Sequence, residues 1–185
     1  MARRLLASCA LLAVMLTALP VLGFPNEEKP LAKLSLRASV AEVQKIYPKM
    51  RKLDREQYGA MVVSSPLIDR YYQPDVKLEG LAHPVALELR FWKGQLWVLI
   101  AYLGDNSEDD MVAWLQKTYG PPRATKPNAS WFGTTRTIVL NSKGRWLSWN
   151  DNALSAEIQK LLMQEMHMRI IPTPTAGAGK SATPR

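Results

Sequence analysis

Leu96-Trp97-Val98-Leu99-Ile100-Ala101-Tyr102-Leu103 is a run without a charged or small polar side chain. Its length, with Lys93-Gly94 before it and Asp105-Asn106 after it, fits a strand. Successive side chains of a strand point to opposite sides of a sheet. Neither face of this strand therefore carries polar groups, and both need cover. Helices can cover one face. The other needs a loop, the excursion at residues 64–84, or a second chain.

The neighbouring segments supply partners for the strand. Residues 87–92 and 96–103 flank Lys93-Gly94, and 135–140 and 146–149 flank Asn141-Ser142-Lys143-Gly144. Each pair is rich in branched, aliphatic and aromatic residues around a glycine-containing turn, the pattern of a hairpin. A further strand is expected at 58–63. Asp105-Asn106 follows the first hairpin and Asp151-Asn152 the second, and each leads into a helical pattern. Val40-Ala41-Glu42-Val43-Gln44-Lys45-Ile46-Tyr47 aligns with Val112-Ala113-Trp114-Leu115-Gln116-Lys117-Thr118-Tyr119, and Ala156-Glu157-Ile158-Gln159-Lys160-Leu161 echoes both. The unit of hairpin plus helix thus reads as an internal repeat. Ser39 with Glu42, and Ser107 with Asp110, form capping boxes. Leu154, Ile158, Leu161, Leu162 and Met166 share one helical face. The expected architecture is α+β: an antiparallel sheet of about five strands with three helices packed on one face.

The two ends of the chain have other uses. Arg3 and Arg4 precede an apolar run that ends near Pro20, so residues 1–23 read as a signal peptide cut before Phe24. An uncleaved membrane anchor is the alternative. Cys9 stands before most of the apolar run, whereas a lipidated cysteine closes it. Cleavage would remove the single cysteine of the chain, leaving no thiol chemistry and no disulfide. Residues 172–185 hold no large apolar side chain and read as a disordered tail. A single domain at 24–171 lies between, and the product is expected in the periplasm or the secreted fraction.

Charge and chemistry narrow the function. The 185 residues include 24 Lys+Arg against 16 Asp+Glu, a formal net charge of +8. Such a basic surface suits solubility, and also anionic lipid or polyanion binding. Gly-x-Ser-x-Gly is absent, and neither of the two histidines has the i, i+4 partner of a zinc site. Asp105, Glu108, Asp109 and Asp110 lack the spacing of a calcium loop and fit the start of a helix. No cofactor, metal or catalytic set is expected. Six tryptophans, among them Trp92, Trp97 and Trp149, fit core packing better than base stacking, and no nucleic-acid partner is expected.

Ser39-Val40-Ala41-Glu42-Val43-Gln44-Lys45-Ile46-Tyr47-Pro48, then strands, then Leu115-Gln116-Lys117-Thr118-Tyr119-Gly120-Pro121-Pro122 and Ser130-Trp131-Phe132-Gly133-Thr134-Thr135, resembles a pattern of small bacterial envelope proteins. It is similar to the outer-membrane assembly accessory lipoproteins and to the tandem-repeat β-lactamase inhibitor protein. The resemblance spans about residues 35–160. It implies short helices on an antiparallel sheet and a role in binding proteins without catalysis. Arg37-Ala38 stands where the lipoproteins carry a glycine, and the cysteine is misplaced.

The sequence thus points to an exported, non-enzymatic protein-interaction module working through its sheet face or hairpins. The partner is another protein, with a second copy of this chain or a membrane surface as further candidates. Trp97 and Leu99 are the residues expected to meet it, since a tryptophan suits an interface better than a closed core. An envelope enzyme with a site assembled only in three dimensions is one alternative, and an anionic lipid or polyanion binder the other. Intact-mass measurement of the protein from its native envelope should find a chain beginning at or near Phe24. A species retaining Met1–Gly23 would replace the export reading with a membrane anchor.

Overall fold

Lys93 and Gly94 take φ of 49° and 81°, the two positive values that a type I′ turn requires. The turn joins β3 (Val85–Trp92) to β4 (Gln95–Tyr102). The computed structural model of the chain describes residues 23–54, 67–125 and 128–170. Within these, α1 (Val40–Ile46), β1 (Arg51–Lys52) and β2 (Ile68–Val76) precede the hairpin. After it come α2 (Glu108–Tyr119), β5 (Ala129–Phe132), β6 (Arg136–Asn141), β7 (Trp146–Asp151) and α3 (Asn152–Ile170). The signal peptide, the strand at 58–63 and the tail all fall outside the described residues. Both capping boxes are formed, Ser39–Glu42 on α1 and Ser107–Asp110 on α2.

The fold is α+β, and its sheet is antiparallel throughout, in the order β1-β2-β3-β4-β7-β6-β5. It has seven strands, not about five. Part of the excursion at 64–84 is strand β2, which its prolines disguise. Pro74 is tolerated because the β2–β3 register breaks between Gln73 and Val76, and β1 reaches only Tyr71 and Tyr72. A proline without an N–H can stand at such an edge.

The first face of the sheet carries the main core. Leu87, Leu89 and Phe91 of β3, Leu99 and Ala101 of β4, and Leu147 and Trp149 of β7 pack with Val43 of α1 and Met111, Leu115 and Tyr119 of α2. The segment at 24–36 completes this layer. Phe24 meets Tyr119 edge-on with ring centroids 5.6 Å apart. Glu27 accepts backbone N–H bonds from Thr134, Thr135 and Arg136. The Arg136 guanidinium lies 4.9 Å from the centre of the Trp149 ring.

The third helix does not join this layer. Leu154 and Ile158 of α3 form a separate buried cluster with Ile68 and Trp92, and Trp97, Leu161 and Leu162 pack against it. Ile68 and Trp92 are register partners, and the side chain of Trp92 points away from the Phe91 side because successive residues alternate. Helices therefore flank both faces, in place of the three on one face read from the sequence. The divergence begins at Asp151. Its carboxylate accepts the backbone N–H of Leu154 at 2.9 Å and pairs with Arg37 Nε at 2.7 Å. Arg37 holds φ +69°, a region glycine enters more easily, and the ion pair offsets that strain.

The alternation expected along β4 also breaks. Arg90 pairs with Val98 but Phe91 with Leu96, so Leu96 and Trp97 together oppose one residue. This bulge returns Leu96 to the side of Leu99 and Ala101 and turns Trp97 toward α3. Leu99 is 0% exposed. Leu99→Ala should lower stability by about 2–5 kcal/mol through the cavity it leaves. Gln44→Ala, at an exposed position on α1, should stay within about 0.5 kcal/mol. Urea unfolding of both variants checks the pair, and near-equal midpoints would place Leu99 outside the core.

Candidate functional site

Beyond α3, the second face of the sheet is defined by three rows of register partners. One row runs Arg70–Arg90–Val98–Asn150–Thr137–Phe132. The next runs Arg51–Tyr72–Glu88–Ile100–Ser148–Val139–Ser130. The last is Ala86–Tyr102–Trp146–Asn141. Val98 and Ile100 are buried, yet they belong to neither apolar cluster. Tyr102 and Phe132 stand 36% and 44% exposed. The face therefore has two halves. Arg51, Arg70, Arg90, Tyr72, Glu88 and Ala86 occupy β1 to β3, while apolar, aromatic and neutral polar side chains occupy β4 to β7.

Arg70 and Arg90 lie directly opposite each other, an arrangement of like charges that opposes pairing. Glu88 resolves it. Its Oε1 accepts from Arg70 Nε at 2.8 Å and from Arg90 Nε at 2.7 Å, and Arg70 Nη2 approaches to 2.6 Å. Its Oε2 accepts from the Tyr102 hydroxyl at 2.8 Å. Burial by itself would raise the Glu88 pKa, but the charge and hydrogen bond of Arg90, the Tyr102 hydroxyl and the charge of Arg70 together hold it below the usual carboxylate range. Tyr102 is pushed up to about 12 by burial and by donating to Glu88. At neutral pH the carboxylate is thus ionised with both oxygens engaged, and the phenol keeps its proton. That arrangement orients guanidinium groups. It is poorly suited to moving a proton, which needs a group titrating near the working pH.

A cleft of about 520 Å³ opens on the other side of the molecule, between α1, the end of β2 and α2, with Ile46, Tyr47, Leu78 and Trp114 in its wall. Trp114 Nε1 donates to the Glu79 carbonyl at 2.8 Å. Tyr47, pushed up to about 12 by burial, donates its hydroxyl to the Ala32 carbonyl. Its charged lining residues, Lys33, Asp75, Lys77 and Glu79, are exposed. Among the described residues, no group of three or more His, Cys, Asp or Glu side chains could hold a metal ion.

The structure does not bring Trp97 and Leu99 together. Leu99 is sealed in the core under α1 and α2, and a partner could reach it only by opening the fold. Trp97 is half-buried against α3, with Nε1 donating to Ser155 Oγ at 2.9 Å. The bulge separates the two residues, and a strict two-residue period could not anticipate it. The cluster that sequence reasoning missed had a signal in β3. Glu88 and Arg90 alternate there with Leu87, Leu89 and Phe91, so an acid and a base share one face of an otherwise apolar strand. No protein-family model, curated protein or solved structure matches the chain.

Glu88→Gln should cost about 3–5 kcal/mol, because it removes the buried counter-charge shared by Arg70 and half-buried Arg90. The pH dependence has a definite sign. A carboxylate whose folded pKa lies below its ordinary 4.5 contributes stability that is full above 4.5 and lost as pH falls through the folded value. The stability gap between wild type and Glu88→Gln should therefore be constant near neutrality and shrink below pH 4.5. Urea midpoints across pH measure it; a gap unchanged in acid would show that Glu88 is not held as the anion.

Proposed function

We propose that the chain is an exported, non-enzymatic protein-binding module whose partner docks on the second face of the sheet. The observation that carries this reading is the set of rings Tyr72, Tyr102, Trp146 and Phe132 on one face, above a buried base of Glu88, Ile100 and Ser148. Oriented arginines share that face with these half-buried or exposed rings. Aromatic and arginine side chains over a well-packed base are the groups from which protein interfaces draw most of their energy. A carboxylate with both oxygens engaged and a phenol that keeps its proton favour recognition over catalysis at this place.

Export rests on the leader at residues 1–23 and gains support from the start of the fold. Phe24 is buried, and Glu27 and Glu28 both bond to the strand β6 region. Cleavage before Phe24 would leave these anchors intact. Among the described residues, no helix is long and apolar enough to cross a membrane.

Site-directed photo-crosslinking in the native envelope tests the docking face. A photoreactive residue at Tyr102 or Phe132 should give a discrete protein adduct, and one at Gln44, exposed on α1, should give none. Adducts of equal yield at all three positions, or at none, would defeat the reading.

A further inference from the structure

We infer that the β1–β3 end of the second face receives carboxylate side chains from an acidic segment of the partner protein. This rests on the reading that a protein docks there, and it names the chemistry of what docks. Among the strand residues whose register puts them on this face, the charged ones are Arg51, Arg70, Arg90 and a single acid, Glu88. Arg51 and Arg90 reach solvent, and Glu88 holds Arg90 in place. Arg90 spends Nε on Glu88, and among the described residues its two terminal nitrogens have no hydrogen-bond partner. Its side chain stays 22% exposed, so those nitrogens remain within reach of a docking group.

Arg51 stands over the ring of Tyr72, 5.3 Å from its centre, and forms no ion pair among the described residues. Glu157 of α3 is already taken by Lys93 at 2.9 Å and Trp92 Nε1 at 3.2 Å. A guanidinium offers a planar fork that matches a carboxylate. Here Glu88 sets the orientation of one fork before a ligand arrives, so little further order is lost on binding. Val98 and Ile100, the neighbours of Arg90 and Glu88 on β4, limit water around the contact and strengthen it.

The chain beginning at Phe24 can be titrated by calorimetry with a blocked oligoglutamate peptide, and with oligoglutamine of equal length as the neutral control. Saturable binding of oligoglutamate alone is expected. Arg90→Gln should weaken it on the order of tenfold, the loss expected for one charge-assisted bond. Glu88 keeps Arg70 and Tyr102 in that variant, so the fold should persist. Arg51→Gln changes an exposed residue and should weaken binding with no effect on melting. Lys45→Gln, on α1, should leave affinity unchanged. Equal loss in Lys45→Gln would reduce the effect to net charge. Competition by inorganic phosphate as strong as by oligoglutamate would make the site a general anion site. Either result, or no binding, overturns the inference. If the Tyr102 adduct forms undiminished in Arg90→Gln, protein docking stands and only the acidic partner falls. If no adduct forms at Tyr102 while the peptide binds as expected, docking on this face falls instead.

Discussion

The need to cover both sides of β4 governs this fold. A central strand with Leu99 and Ala101 on one face and Val98 and Ile100 on the other cannot leave either face to water without a large cost in exposed apolar area. On the first face, α1, α2 and the segment at 24–36 close over the strand. On the second, α3 closes the end marked by Ile68, Trp92 and Trp97. Asp151 is the point where the two solutions part. It ends β7, bonds the first turn of α3 and binds Arg37 from the opposite end of the sequence. Its pKa is raised by burial but lowered more by the Arg37 hydrogen bond, the Leu154 N–H and the Arg37 charge, and the net direction is down. One carboxylate thus ties the N-terminal segment to the helix that crosses the other face.

The polar end of the second face is governed by charge. Two arginines facing each other across β2 and β3 would separate the strands if nothing lay between them. Glu88 lies between, and the Tyr102 hydroxyl fills its second oxygen. The cluster therefore holds β2, β3 and β4 together at their polar end as the apolar side chains do elsewhere. A buried pair of this kind stabilises weakly relative to an apolar replacement, although removing one member is costly. Among the described residues, the terminal nitrogens of Arg90 have no hydrogen-bond partner.

The segment at 24–36 is anchored from its first residues. Phe24 packs on Tyr119, and Pro25 lies where a side chain at Gly120 would strike it. Gly120 holds φ +74°, so the turn after α2 needs glycine both for its backbone and for the space. The segment from Phe24 is thereby built into the core layer, and a chain trimmed beyond Phe24 would lose part of that layer.

The α+β class, the two hairpins, the capping boxes and the need for cover on both faces of β4 follow from local rules: period, turn chemistry and helix starts read over a few residues. Trp97 and Leu99 look alike at that range, both large and two apart on an apolar strand. Only the bulge against Phe91 sends one to α3 and the other to the core, and a bulge is set by pairing between strands. The same holds for β2, whose prolines hide a strand until β3 lies beside it. Glu88, Arg90 and Arg70 were each visible as charges, and the alternation in β3 placed the first two on one side. Their meeting with Arg70 and Tyr102 needed the register of three strands. The sequence alone determined where turns and helices begin and that β4 needs cover on both faces, because those depend on local sterics and on the run of apolar side chains. The tertiary structure decided which face each helix covers and which charges meet, because those depend on contacts between residues far apart in the chain.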